Sequence, residues 1–348
     1  MSKKAPQETE VRKLQVTGGS TYVLSPPKKW IVQNQLKKGS SLLIREEEDG
    51  SLAILPPESG KHRRPEEAFI EVSPKDNPDS LVRKTVSAYL VGYNMIHVKA
   101  KSQQQISSRQ RNILKTFARQ FLIGTEIVTD TSTELTLQVL LSYPELSVPS
   151  ALRRMCIITS SMHKDAVIAL KKLDHQLAKD VITTDNEVDR FHLYIIRQLK
   201  MAVQNPRIIK EIGLTNAREC LGYRLITKTV ERTADHAANI ARNVLVLKRG
   251  VDEENLKKIE KMSEMAISSF EMAIESLFKR DFNMAESGVE KTKEIISLEK
   301  ETVLSSRETE IEEIANLRLL IESVIRTAEY ASDIAEIVLN LTVESVIG

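Results

Sequence analysis

The residues best suited to chemistry are acids set one helical turn apart. Asp185 and Asp189 are four residues apart, and so are Glu231 and Asp235. On a helix that spacing points both carboxylates of a pair the same way. If the two helices pack antiparallel, four carboxylates converge on one patch. Such a patch repels itself unless a cation or basic side chains intervene. His192 lies one turn beyond Asp189, and His236 adjoins Asp235. Oxygen-rich clusters with imidazole nearby suit iron, manganese, zinc, magnesium or calcium. The same residues also fit a plainer arrangement, surface acids paired with Arg190 and Arg232, and spacing does not separate the two. Helical di-iron enzymes supply Glu-x-x-His motifs, and none occurs here. There is no glycine-rich phosphate loop and no nucleophile elbow. Cys156 and Cys220 form neither a disulfide framework nor a CxxC knuckle.

The elements that must position these acids come from an internal repeat. Residues 224–247 read RLITKTVERTADHAANIARNVLVL and residues 318–341 read RLLIESVIRTAEYASDIAEIVLNL, with 12 of 24 positions identical at an offset of 94. That is a duplicated supersecondary unit. Ten of the eleven prolines lie at or before Pro149. Because proline is expelled from helix interiors, the chain from Ser150 onward is expected to be almost wholly helical. Each copy has room for three helices: Ser150–Leu173, Gln176–Gln204 and Arg207–Lys248, then Glu253–Lys279, Met284–Ser305 and Glu308–Ser345. Apolar residues recur at three- and four-residue spacing, as in Ile226, Val230, Ala234, Ala237 and Ile240. Two tandem three-helix bundles follow, over 150–250 and 251–348.

The second copy departs from the first. Glu231 corresponds to Ile325, Asp235 to Glu329 and His236 to Tyr330. Aligning Ala178 with Ala285 sets Thr292 and Ile296 opposite Asp185 and Asp189. One carboxylate of four survives, so a metal is expected in the first repeat alone.

The first 149 residues hold strands and turns. In the head, residues 1–57, short strands are expected at Val11–Val16, Ser20–Leu24, Ser41–Arg45 and Ser51–Leu55, with a helical turn from Lys28 to Gln35. Gly18-Gly19 and Asp49-Gly50 are the turn signals. Four short strands and one helical turn cannot bury a core alone, so at least a dimer is expected. In residues 58–149 a linker around Lys61–Arg64 precedes an expected strand at Ala68–Val72. A helix capped by Asp79 or Ser80 then runs to Gly92, and a strand follows at Met95–Lys99. A helix capped by Ser107 or Ser108 ends at Gly124, before strands at Glu126–Thr131 and Glu134–Leu141. This is a small α/β layer without recognisable chemistry.

The 348 residues carry 50 Lys plus Arg and 48 Asp plus Glu. That balance excludes a uniformly basic nucleic-acid coat, though not a local basic patch. Residues 150–250 carry 18 basic and 10 acidic residues, net +8; residues 251–348 carry 11 and 22, net −11. Opposite signs on successive helical segments suggest complementary surfaces. No apolar run reaches the ~20 residues that span a bilayer, and MSKKAPQETE lacks a signal peptide's apolar stretch. A cytoplasmic, non-membrane protein is expected.

Two family resemblances sharpen this. Val11-Arg-Lys13, Val23-Leu-Ser-Pro26, Lys28-Lys29-Trp30 and Leu36-Lys-Lys-Gly39 resemble the AbrB/SpoVT family of swapped-hairpin DNA-binding domains. That resemblance implies an intertwined dimer with Arg12, Lys13, Lys28 and Lys29 on DNA. The first-turn basic residue of that family is missing at Gly19, Ser20 and Thr21, and the basic pair after the proline is shifted. Phosphate contact needs only cations in roughly the right place, so the shift bears on sequence specificity more than on binding. The same module could serve purely as a dimerisation clamp. Residues 230–241, VERTADHAANIA, resemble the ERxxDHxxNIA signature of the PhoU family, and Ala178–Asp189 resembles the family's preceding helix. This second resemblance covers residues 150–348; with the head and the α/β segment, the whole chain looks like an archaeal phosphate-uptake regulator. It implies negative regulation of high-affinity phosphate transport and its signalling, with a transporter ATPase or signalling protein as partner. It also implies a metal, divalent or of the iron type, on Asp185, Asp189, Glu231 and Asp235 alone; His192 and His236 are further candidates from their spacing.

Three functions are compatible with these features: a DNA-binding, non-enzymatic transcriptional regulator with a metal-binding helical sensor or docking domain; a metalloenzyme built on the carboxylates; and a dimeric transporter adaptor without DNA binding. Salt-sensitive DNA binding marks the first and turnover by the metal-loaded protein the second. The sequence favours the first. The expected fold is multidomain and mainly α: two tandem three-helix bundles after a small swapped-hairpin β domain and a small α/β segment.

Overall fold

The computed structural model describes residues 10–46, 50–56, 67–102, 104–140, 146–301 and 311–347; side chains of 206, 207, 293, 296–301 and 311–314 lie outside that description. The expected linker at 61–64 and the residues of the second head turn before Gly50 also lie outside it. The chain divides into two compact units, residues 1–63 and 64–348.

In the first unit, β1 (Gln15–Thr17) pairs antiparallel with β2 (Thr21–Val23), and Gln15 lies opposite Val23. The ladder is shorter than the expected Val11–Val16 because Pro26 and Pro27 follow β2 closely and proline cannot donate to a ladder. Gly18 and Gly19 take left-handed φ of 63° and 87° in the turn. Helix α1 (Lys28–Gln33) follows, and then β3 (Leu43–Glu46) pairs with β4 (Leu52–Leu55). Among the described residues of this unit none is buried. Val11, Val16, Tyr22, Val32, Ile44 and Leu52 are all more than half exposed.

The second unit begins with a four-stranded sheet: β5 (Glu67–Val72), β6 (Met95–Ala100), β7 (Thr125–Asp130) and β8 (Glu134–Val139), in the order β5-β6-β8-β7. β5 and β6 are parallel, and β8 runs antiparallel to both β6 and β7. Helix α2 (Pro78–Val91) connects β5 to β6, and α3 (Ser108–Phe121) connects β6 to β7. The cap of α2 is Asn77, whose side chain accepts the Asp79 N–H, rather than Asp79 or Ser80 themselves. Ser107 caps α3 in a reciprocal box with Gln110. The α/β core is Tyr89, Ile96, Leu114, Leu135 and Leu137 with their neighbours.

Six long helices complete the unit. The first repeat is α4 (Val148–Lys172), α5 (His175–Gln204) and α7 (Ala217–Val246); the second is α8 (Glu253–Lys279), α9 (Phe282–Glu301) and α10 (Ile311–Thr342), with a 3₁₀ turn at Val343–Ser345. One expected boundary fails. The helix expected over 207–248 is broken into a short α6 (Pro206–Glu211) and α7. Gly213 takes φ +83°, and Asn216 starts a new helix by accepting the Glu219 N–H. A left-handed glycine followed by an Asx cap is an ordinary helix stop and restart. One continuous apolar cluster runs from Val148 to Val338, so the two three-helix repeats share a core.

The charge contrast between the repeats is met partly inside the chain. Lys164–Glu271 (2.6 Å), Lys171–Glu260 (2.8 Å) and Arg153–Glu275 (4.0 Å) bridge α4 and α8. Such exposed pairs orient the helices more than they stabilise them. The α/β layer is joined to α5 by a buried arginine. Arg197 donates to the carbonyl of Tyr89, to that of Gly92 (3.2 Å) and to Asn94 Oδ1 (3.1 Å), and its guanidinium lies 4.8 Å from the Tyr89 ring centroid.

Candidate metal centre

Helices α5 and α7 place the expected acids. Asp185 lies 3.8 Å from Arg242, and His192 Nδ1 lies 3.6 Å from Glu231. The earlier residue of α5 meets the later residue of α7, so the helices run antiparallel, as the four-carboxylate patch requires. Asp189 Oδ, a His192 ring nitrogen and a Glu231 carboxylate oxygen come within 4.8 Å of one another. Lys228 donates to both oxygens of Glu231, one at 2.6 Å. The cations beside the acids are therefore Lys228 and Arg242, with the His192 imidazole next to Glu231. Arg190 instead pairs with Glu187 at 3.6 Å, and the Arg232 charge acts on Asp333 of α10.

The electrostatics follow from burial and like charge. Burial, then Asp235 and Asp189, raise the pKa of Asp185 to about 7. Burial, then Glu231 and Asp235, raise that of Asp189 to about 6. Asp235 is raised by burial and Glu231. Burial also opposes ionisation of Glu231, but hydrogen bonds with His192 and Lys228 outweigh it and hold this carboxyl below the usual range. The cluster thus has more acid than its basic side chains neutralise. Its mixed carboxylate and imidazole donors suit a divalent cation.

His236 is the expected ligand that the structure takes elsewhere. Its ring tilts against Tyr330 with centroids 5.7 Å apart. Burial, then Arg326, lower its pKa, and its Nδ1 is buried with no hydrogen-bond partner among the described residues. One helical step of about 100° beyond Asp235 turns it from α5 toward α10. The histidine that joins the acids is His192, one turn beyond Asp189 on the same helix; Asp189-x-x-His192 is the shorter-chain counterpart of Glu-x-x-His.

In the second repeat, Thr292 is buried and donates to the carbonyls of Gly288 (3.2 Å) and Ala328 (3.3 Å), and Ile325 is buried. Glu329 pairs with Arg326 at 2.8 Å. The side chain of Ile296 lies outside the described residues.

The family model described as the PhoU domain matches residues 152–244 and 259–338, which are the two helical repeats. The chain belongs to the PhoU family. Two curated relatives are named phosphate-specific transport system accessory protein PhoU homolog. The Borreliella burgdorferi protein is 29% identical over 126 residues, 34% of this chain and 54% of that one. One from Xylella fastidiosa is 27% identical over 107 residues, 31% and 42%. The chain spans about half the length of the curated relatives it matches. The crystal structure of PhoU from Pseudomonas aeruginosa superposes with a TM-score of 0.51 at 20% identity, over 57% of this chain and 96% of that one. PhoU from Streptococcus pneumoniae gives 0.49 at 21%, over 58% and 96%. The Pseudomonas likeness shows the PhoU fold. At the N-terminus the model described as antidote-toxin recognition MazE, bacterial antitoxin, matches residues 15–62. The head is a MazE/AbrB-like module attached to a PhoU pair. Among the described residues, no helix is long and apolar enough to cross a membrane.

Proposed function

We propose that this chain is a cytoplasmic, non-enzymatic regulator of phosphate uptake and phosphate signalling. It works as a homodimer or higher homo-oligomer of four-module chains: 1–57, 58–149, 150–250 and 251–348. The head contacts DNA through Arg12, Lys13, Lys28 and Lys29 and regulates transcription. The first repeat holds a divalent or iron-type metal, and the helical half docks to a phosphate transporter ATPase or a signalling protein.

The observation that carries this reading is the asymmetry between the repeats: Asp189, His192 and Glu231 meet within 4.8 Å, where the second repeat has buried Thr292 and Ile325. Asp185 and Asp235 extend the first patch. A cation bound there supplies the missing positive charge and ties α5 to α7. The head supports the dimer, because its exposed Val16, Tyr22, Ile44 and Leu52 need a second copy to cover them. Arg12, Lys13, Lys28 and Lys29 are exposed, although Arg12 also pairs with Glu10. The relatives' name, accessory protein of phosphate-specific transport, supports the docking partner.

Solution mass and elemental analysis of the purified chain, with duplex-DNA binding measured across a salt series, test the reading. A dimer or larger assembly, stoichiometric metal and an affinity that falls steeply with salt are expected. A monomer at micromolar concentration, metal-free protein after metal loading, or no DNA binding at low salt would each remove the corresponding part. Unchanged low-salt affinity after neutralising Lys28 and Lys29 would show that the head surface is misplaced.

A further inference from the structure

The two helices of the α/β layer are strongly basic. Helices α2 and α3 together bear six cations, Arg83, Lys84, Arg109, Arg111, Lys115 and Arg119, against one acid, Asp79. Asp130 on β7 engages two of them, accepting from Arg111 Nε at 2.8 Å and Lys115 at 2.9 Å. The pKa of Asp130 falls through those hydrogen bonds, Lys115 first. Arg83, Lys84, Arg109 and Arg119 are exposed and have no ion-pair partner among the described residues. That leaves four uncompensated cations on two adjacent helices.

The topology sets the helices that carry these cations side by side. β7 is parallel to β6, since β8 is antiparallel to both. Helices α2 and α3, each linking two parallel strands, therefore run in the same direction and pack against each other. Helix α5 covers their C-terminal ends, where Arg197 reaches Tyr89 and Gly92. The N-terminal halves, with Arg83, Lys84, Arg109 and Asn112, stay exposed at one level of the layer.

We infer that the α2–α3 layer is a second polyanion-contacting surface, and that its partner is the phosphate backbone of duplex DNA. At about 100° per residue, Arg109, Asn112, Thr116, Arg119 and Gln120 share one exposed arc of α3. These are the side chains that bond phosphate oxygens and base edges. An anionic membrane surface fits less well, because a helix lying in one presents large apolar residues beside its cations. Here Phe117 and Phe121 are half-buried and stack on each other 4.8 Å apart. The choice of DNA among polyanions rests on the DNA-binding reading of the head; the basic surface does not.

The test uses the full chain and a fluorescent duplex of about 30 base pairs, with affinity measured against salt concentration. Three proteins are compared: the parent, a head variant (Lys28→Gln with Lys29→Gln) and a layer variant (Arg83→Gln, Lys84→Gln, Arg109→Gln and Arg119→Gln). The layer variant should bind about tenfold or more weakly at low salt, and its log–log salt slope should be shallower by up to about 3.6, from about 0.9 per lost phosphate contact. If the quadruple variant does not fold, Arg119→Glu alone serves, with a loss in the same direction. A layer variant that matches the parent in affinity and slope, while the head variant is weakened, overturns this inference and leaves the head reading standing. If the parent binds no DNA, both fall. Parent binding to phosphatidylglycerol vesicles that is lost in the layer variant, without DNA binding, overturns DNA in favour of a membrane surface.

Discussion

His236 and Tyr330 occupy equivalent positions in the two repeats, 94 residues apart, and they lie against each other, ring centroids 5.7 Å apart and tilted by 50°. Equivalent residues meet only where two copies face one another about an approximate two-fold axis. The Arg326 charge acts on His236, and that of the equivalent Arg232 acts on Asp333, so each repeat's arginine influences a side chain of the other repeat. The axis passes between α7 and α10, and it takes His236 away from the carboxylates next door.

A first prediction separates these two roles. Replacing Tyr330 by Ala should lower stability by about 1 kcal/mol beyond the lost area, as aromatic pairs do, with metal content unchanged. His236→Phe should keep both stability and metal. Chemical denaturation and elemental analysis read the two; loss of metal in His236→Phe would return this histidine to the cluster.

The asymmetry of the repeats gives a second. Glu231→Gln and Asp235→Ala should lose stoichiometric metal, and Glu329→Ala should not, because a hard cation needs several oxygen donors to replace its water. Elemental analysis after identical loading decides. Equal loss in Asp235→Ala and Glu329→Ala would refute the asymmetry, and full occupancy in Asp235→Ala would refute the site.

The metal-free protein should lose stability as pH rises. Asp185 and Asp189 hold their protons up to about 7 and about 6 in the folded chain, against about 3.9 when unfolded. Both forms are protonated below pH 4, so the stability from this site is fully present there; it is lost as pH rises through 6 and 7. At pH 8, Asp185→Asn should therefore stabilise the metal-free protein by about 1–2 kcal/mol, less than the full shift implies because neighbours relax. Melting curves at pH 5 and pH 8 check it; a parent protein that is more stable at pH 8, without metal, contradicts the buried-charge account.

Arg197 offers a fourth. Arg197→Met should cost about 3 kcal/mol, because it leaves the buried carbonyls of Tyr89 and Gly92 without a donor. Hydrogen exchange should then rise around Gly92–Asn94 and leave the Asp185–His192 face of α5 unchanged. Uniform exchange across both segments would mean that the arginine supports the whole bundle rather than the α/β contact.

The sequence alone determined what local rules govern. Apolar spacing and expelled prolines gave the six long helices, and Glu253–Lys279 matches to the residue. The offset of 94 exposed the duplication and the loss of acids at Ile325. Acids one turn apart set Asp185 beside Asp189 and Glu231 beside Asp235, since a helix carries residues four apart on one face whatever surrounds it; the antiparallel packing of α5 on α7 brings the two pairs to one patch. Only the tertiary structure decided the rest. The break at Gly213–Asn216 depends on a left-handed φ that apolar periodicity does not record. Which histidine joins the acids depends on helix rotation: His192 points to α7, and His236 points to α10. The two repeats share one core because each three-helix unit leaves an apolar face that the other covers. The basic α2–α3 layer needed the fold as well, since the helices that carry Arg83 and Arg109 pack together only because β5, β6 and β7 run parallel.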